Sequence, residues 1–93
     1  MVLEVAVLSL KKGFARDFEA AFAEAAFIIA RQDGYIWHEL KKCVEKNDQY
    51  LLLVQWKSLE DHTIGFRESE DYLQWKSLLH HFYEPFPIVE HYI

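Results

Sequence analysis

Five histidines, three tryptophans, five tyrosines and one cysteine are the side chains of this 93-residue chain best equipped for chemistry. His80 and His81 are adjacent, but neighbouring helical residues point about 100° apart and chelate one metal poorly. His62, His80 and His91 lack the spacings that specify a metal site, so no metal is expected. His81 is expected to face solvent and His80 to sit as a hydrogen-bonded residue at the boundary of an apolar stripe. No Ser-His-Asp or Cys-His signature is present, and three isolated glycines make no phosphate loop. Cys43 reads as a packing residue near a strand end. The carboxylates are scattered over expected outer faces, which gives paired acid–base catalysis no support. What remains is aromatic: Trp56, Tyr72 and Trp75, with His62 among them and Phe22 and His80 nearby. Such a set suits a flat apolar ligand held by one or two polar groups.

The elements that must position these residues are legible from hydrophobic period. Residues 2–10 (VLEVAVLSL) read as a strand, with Leu3, Val5, Val7 and Ser9 on one face and Val2, Glu4, Ala6, Leu8 and Leu10 on the other. After the turn at Lys11-Lys12-Gly13, residues 14–30 read as a helix. Its stripe is Phe14, Phe18, Ala21, Phe22, Ala25 and Ile29. Phe27 falls off that stripe and is expected to meet another surface or solvent. Asp33-Gly34 ends the helix. Residues 35–44 and 49–56 read as a hairpin about the polar turn Glu45-Lys46-Asn47-Asp48. Ser58 caps a short helix, with Asp61 three residues on, that is expected to break at Gly65. Ser69 opens a helix to about His81, with Tyr72, Trp75, Leu79 and Phe82 along one side, and Pro85 and Pro87 stop it. Residues 88–92 form a last strand.

The order is β–α–β–β–α–β, the α+β ferredoxin-like plan, with a four-stranded antiparallel sheet and both helices on one face. One domain over residues 1–93 is expected. Strands 2–10 and 50–56 are apolar on both faces, so something must cover the face without helices. A homodimer through that sheet face is the economical solution.

Composition narrows the function. Fifteen acidic against ten basic residues give a net charge of −5, which disfavours nucleic-acid binding through a basic face. No apolar run approaches the ~20 residues of a membrane span. A single cysteine and a start without signal-peptide character fit a reducing, cytoplasmic setting.

Several stretches carry a family resemblance: Leu53-Val54-Gln55-Trp56-Lys57-Ser58-Leu59-Glu60, then His62 to Ser69, then Ser69-x-x-Tyr72-x-x-Trp75. Leu78-Leu79-His80-His81-Phe82-Tyr83 and Pro87-Ile88-Val89-Glu90-His91-Tyr92 continue them. Across essentially its whole length the chain resembles the antibiotic biosynthesis monooxygenase (ABM) family. The resemblance implies a dimeric α+β barrel and, in some members, oxygen chemistry on anthrone- or quinol-like aromatics without flavin or metal. By position it implies that Trp56 lines the pocket and that His62 takes a phenolic proton, with Tyr72, Trp75 and His80 as lesser contributors. Heme-degrading relatives of the fold use a first-strand asparagine and a helix histidine. The corresponding positions here are Ala6 and one near Lys76, so heme degradation is disfavoured, with His80 the histidine that could be argued into the role. The alternative to a monooxygenase is a dimeric small-ligand-binding or stress-associated protein without turnover.

Overall fold

A computed structural model describes all 93 residues. Period-two alternation in β1 (Val2–Ser9) and β3 (Gln49–Trp56) turns Val2, Ala6, Leu8, Tyr50, Leu52, Val54 and Trp56 to one buried face. The two strands pair antiparallel from Val2↔Trp56 to Ser9↔Gln49. Strand β2 (Tyr35–Lys42) flanks β3 with an irregularity between Tyr35 and Trp37, and β4 (Val89–Tyr92) flanks β1. The sheet order is therefore β2-β3-β1-β4, the ferredoxin-like α+β fold.

Helix α1 (Ala15–Ala30) buries Phe18, Phe22, Ala25, Ile28 and Ile29 against that face. Phe14 falls just before it and Phe27 stands 77% exposed. Gly34, at φ +81°, closes the connection to β2, and a Cβ there would run into the Asp61 side chain. Helix α2 (Glu70–Leu79) starts at Ser69, whose hydroxyl accepts from the Tyr72 amide at 3.2 Å, and buries Trp75 and Leu79. Arg31 binds Asp71 through two hydrogen bonds of 2.9 and 2.7 Å, and Gln32 adds a third at 2.8 Å. These join the end of α1 to the start of α2. They hold the Asp71 carboxyl down to about 2.

Three boundaries differ from the sequence reading by more than one residue. The short helix does not break at Gly65: it runs through Asp61–Phe66 with π geometry, the Arg67 amide reaching the His62 carbonyl five residues back at 3.1 Å. Gly65 has helical backbone compatible with any residue, so nothing stops the turn there. Helix α2 ends at Leu79 and passes into a 3₁₀ turn over His80–Phe82. Strand β2 ends at Lys42, short of Val44. The Ser58 cap forms as read, with the Asp61 amide donating to its hydroxyl at 3.2 Å.

Leu3, Val5, Val7, Leu51 and Leu53 lie on the opposite sheet face with no helix over them, and Val7 is 47% exposed. Cross-strand pairs Val5↔Leu53 and Val7↔Leu51 make the patch continuous.

Candidate functional site

Glu4 breaks the apolar row of β1. It lies on the helix-side face between Val2 and Ala6, where strand alternation places it whatever its charge, and it is 5% exposed. Register brings its partners. His91 on β4 pairs directly with Glu4, while Trp56 on β3 pairs with Val2 one step along the same face. The π segment delivers His62 above them.

These four side chains form one contiguous chain of polar contacts. The Trp56 Nε1–H donates to Glu4 Oε1 at 3.0 Å. His62 Nε2 lies 3.3 Å from the same oxygen. On its other side, His62 Nδ1 is 2.8 Å from His91 Nε2. The His62 ring stacks on Trp56 at 5.3 Å between centroids and 18° between planes. No buried side-chain nitrogen or oxygen lacks a partner. Glu4 Oε2 makes no protein hydrogen bond, so it must reach accessible space, and Glu4 indeed lines a cavity.

Burial sets the charges. It pushes the Glu4 carboxyl up to about 7, against the opposing pull of the Trp56 N–H and the positive Arg67. Burial pulls His62 down to about 3, with Arg67 and His91 adding to the shift. His62 is therefore neutral near pH 7, and its 3.3 Å approach to Glu4 is a polar contact rather than an ion pair. His91 also lies below its ordinary value, through burial and then Arg67.

The cavity measures about 380 Å³ between sheet and helices, within the ordinary range of small-ligand sites. Glu4, Ala6, Leu52 and Val89 form its sheet side. His62, Phe66, Tyr72 and Trp75 form its helix side, and His80, Tyr83 and Phe86 close one end. The His80 ring meets Phe86 edge-on at 4.9 Å and Tyr72 at 5.8 Å. Burial, then the Lys76 charge, lowers His80, while burial raises the Tyr72 and Tyr83 phenols, so all three are uncharged donors or acceptors at neutral pH. An apolar aromatic would meet flat walls, with polar groups confined to Glu4, the cavity histidines, the two phenols and the Arg67 guanidinium. No three His, Cys, Asp or Glu side chains converge as a metal-binding set.

Four of the residues singled out in the sequence meet at this cavity: His62, Tyr72, Trp75 and His80. Two do not. Trp56 is 0% exposed and contributes no cavity wall; it lies behind, holding Glu4 and backing His62. Phe22 packs edge-on against Trp75 at 5.9 Å in the α1 core, away from the cavity. The sequence reading also placed the carboxylates outside, and Glu4 corrects it. Glu4, Arg67 and Tyr83 were not singled out, and His91 was weighed only as a metal ligand. Only Glu4 had a clear signal, a charge within an otherwise apolar strand face.

Known proteins place this architecture. The model of the family described as antibiotic biosynthesis monooxygenase matches residues 1–78. The uncharacterized protein YczJ of Bacillus subtilis (strain 168) is 56% identical over 92 residues, spanning 99% of this chain and 97% of that protein. A Bordetella bronchiseptica protein provisionally named antibiotic biosynthesis monooxygenase superposes with a TM-score of 0.94 at 29% identity, covering 99% of this chain and 94% of its own. SnoaB of Streptomyces nogalater, a cofactor-independent oxygenase, shares the fold at a TM-score of 0.82 and 22% identity, with 99% and 90% coverage. No helix here is long and apolar enough to cross a membrane. With the family model matched over residues 1–78, the chain belongs to the antibiotic biosynthesis monooxygenase family.

Proposed function

We propose that the protein is a cofactor-independent monooxygenase acting on a small aromatic of the anthrone or quinol class, bound between the helices and the sheet. The observation that carries this reading is a carboxyl raised to about 7 in the wall of an aromatic cavity of about 380 Å³. A general base works best with a pKa near the working pH, and burial puts Glu4 there. His62, expected from sequence to take the proton, is too weak a base at about 3 and instead holds the carboxyl in place. Trp56 acts from behind through its N–H to Glu4.

The step assigned to Glu4 is removal of a proton from the activated CH₂ or phenol of the substrate. The resulting carbanion or phenolate is the reductant and dioxygen the oxidant. For a CH₂ substrate one oxygen atom ends in a new carbonyl and the other leaves as water, so R–CH₂–R′ and O₂ give R–CO–R′ and H₂O. Tyr72, Trp75 and His80 orient the ring and keep bulk water from the anion. We place the protein in the cytoplasm as a homodimer joined through the open sheet face, on the strength of the single free Cys43 and the apolar patch about Val5 and Leu53.

Oxygen uptake over a panel of anthrones and reduced quinols, on metal-stripped protein with autoxidation subtracted, tests the reading. Saturable uptake is expected, with one atom of ¹⁸O₂ in the product of a CH₂ substrate. Glu4→Gln should lower kcat by about 10²-fold or more, within the usual range for a lost general base. Uptake at background across the panel, with aromatic ligands still binding, would overturn turnover and leave a small-ligand-binding protein.

A further inference from the structure

The contacts of Glu4 continue beyond the cavity. His62 touches Glu4 on one side and His91 on the other, at 3.3 and 2.8 Å. His91 does not line the cavity; it lines a separate groove beside Met1, Lys57, Ser58 and Ile93 at the end of the sheet where β1 begins and β3 and β4 finish. His91 Nδ1 has no protein partner, and no buried nitrogen is unpartnered, so that atom is open to the groove. His62 thus stands between an internal carboxyl, 3.3 Å from its Nε2, and an accessible imidazole hydrogen-bonded to its Nδ1.

We propose that His62 and His91 form a proton exit path that carries the proton taken up by Glu4 to solvent at the end of the sheet where β1 begins, bypassing the substrate cavity. The inference rests on the proposed role of Glu4. With Glu4 protonated, its O–H donates to His62 Nε2, His62 Nδ1–H donates to His91 Nε2, and His91 carries its other proton at Nδ1. The proton of Glu4 moves to His62 Nε2, that of His62 Nδ1 moves to His91 Nε2, and that of His91 Nδ1 leaves to water. One proton enters and one leaves, both rings change tautomer, and neither becomes an imidazolium. That matters because a charged His62 is strongly disfavoured where it is buried beside Arg67. Trp56 keeps the geometry by donating to Glu4 Oε1 and stacking on His62. The other titratable groups facing this chain are Arg67 after the π segment, Tyr72 on α2 and Tyr83 beyond it, with Lys57 beside His91 in the groove.

The test begins without substrate. Two-bond ¹H–¹⁵N spectra of histidine-labelled protein report the tautomer of each ring, while ¹³C of the Glu4 carboxyl reports its protonation. Raising pH through the Glu4 midpoint should turn His62 from Nδ1–H to Nε2–H, with His91 changing in step. Glu4→Gln should abolish the change. A His62 tautomer that stays fixed while Glu4 titrates overturns the path. On a substrate that turns over, His91→Phe should lower kcat at least about tenfold, leave KM unchanged, and recover with imidazole added to solution. An unchanged kcat would also overturn it. Because the tautomer measurement needs no turnover, absent oxygen uptake with intact switching would defeat the enzymatic reading alone.

Discussion

At the scale of the residue, Glu4 and His62 impose opposite pH dependences on stability, and removing one exposes the other. Between pH 4.5 and 6.5, the ordinary values of the two groups, native Glu4 holds a proton that unfolded Glu4 has lost. Over the same window native His62 lacks a proton that unfolded His62 holds. The difference in bound protons cancels, so this pair leaves stability flat. In Glu4→Gln only His62 remains, the unfolded chain binds the extra proton, and stability rises with pH. At about 1.4 kcal/mol per pH unit, the variant should gain about 3 kcal/mol relative to wild type across the window. His38, His80 and His91, also lowered by burial, act alike in both proteins and drop out of the comparison. Urea unfolding at several pH values reads the difference directly; parallel curves for the two proteins would mean that Glu4 is ionised at neutral pH. His62 was legible in the sequence because histidine announces chemistry. Glu4 was visible only as a fault in an apolar alternation, and His91, noted as a histidine, could not be joined to His62 and Glu4, because its partner is set by β1–β4 register and not by spacing along the chain.

At the scale of the element, the segment between β3 and α2 decides whether the site exists. It must carry His62 down onto Trp56 and then release the chain into the α2 cap. Glycine favours turns, yet Gly65 sits within a helical turn and an added Cβ would meet only the Glu60 carbonyl at 3.7 Å. Gly65→Ala should therefore be tolerated and raise stability by up to about 1 kcal/mol, by restricting the unfolded chain. A loss in its place would show that the π turn opens at Gly65 in solution. Ser69→Ala is expected to go the other way. It removes the hydroxyl that accepts from the Tyr72 amide and should cost about 1 kcal/mol in chemical unfolding, with an unchanged m-value. Because α2 carries Tyr72 and Trp75 to the cavity, its fraying should also weaken aromatic binding. Caps and periodicity made α1, α2 and the hairpin readable. The π geometry was not, because five-residue hydrogen bonding leaves no regular apolar spacing over six residues.

At the scale of the whole molecule, the sheet has two apolar faces and the chain has helices for only one. That imbalance was legible in residues 2–10 and 50–56, and the structure leaves Leu3, Val5, Val7, Leu51 and Leu53 without a cover from their own chain. The helix-side core closes around 17 buried apolar residues, and both long helices turn their buried faces to it. In the proposed homodimer a second copy supplies an identical apolar face, and a two-fold axis between the paired sheets makes the patch its own complement. Light scattering should thus give twice the 11.1 kDa chain mass at micromolar concentration, and the melting temperature should rise with protein concentration. Leu53→Lys places a charge at the centre of that patch, opposite Val5, and should yield a monomer with an unchanged far-UV spectrum. Leu73→Lys, on the outer side of α2 where Leu73 is 66% exposed, should leave the dimer intact. A monomeric wild type, or a Leu53→Lys dimer, would refute sheet-to-sheet pairing. The cavity lies on the opposite side of the sheet, walled by Glu4, His62 and Tyr72 of one chain. A Leu53→Lys monomer should therefore still bind an aromatic ligand, with affinity reduced only as far as β1 loosens once its outer face is wet.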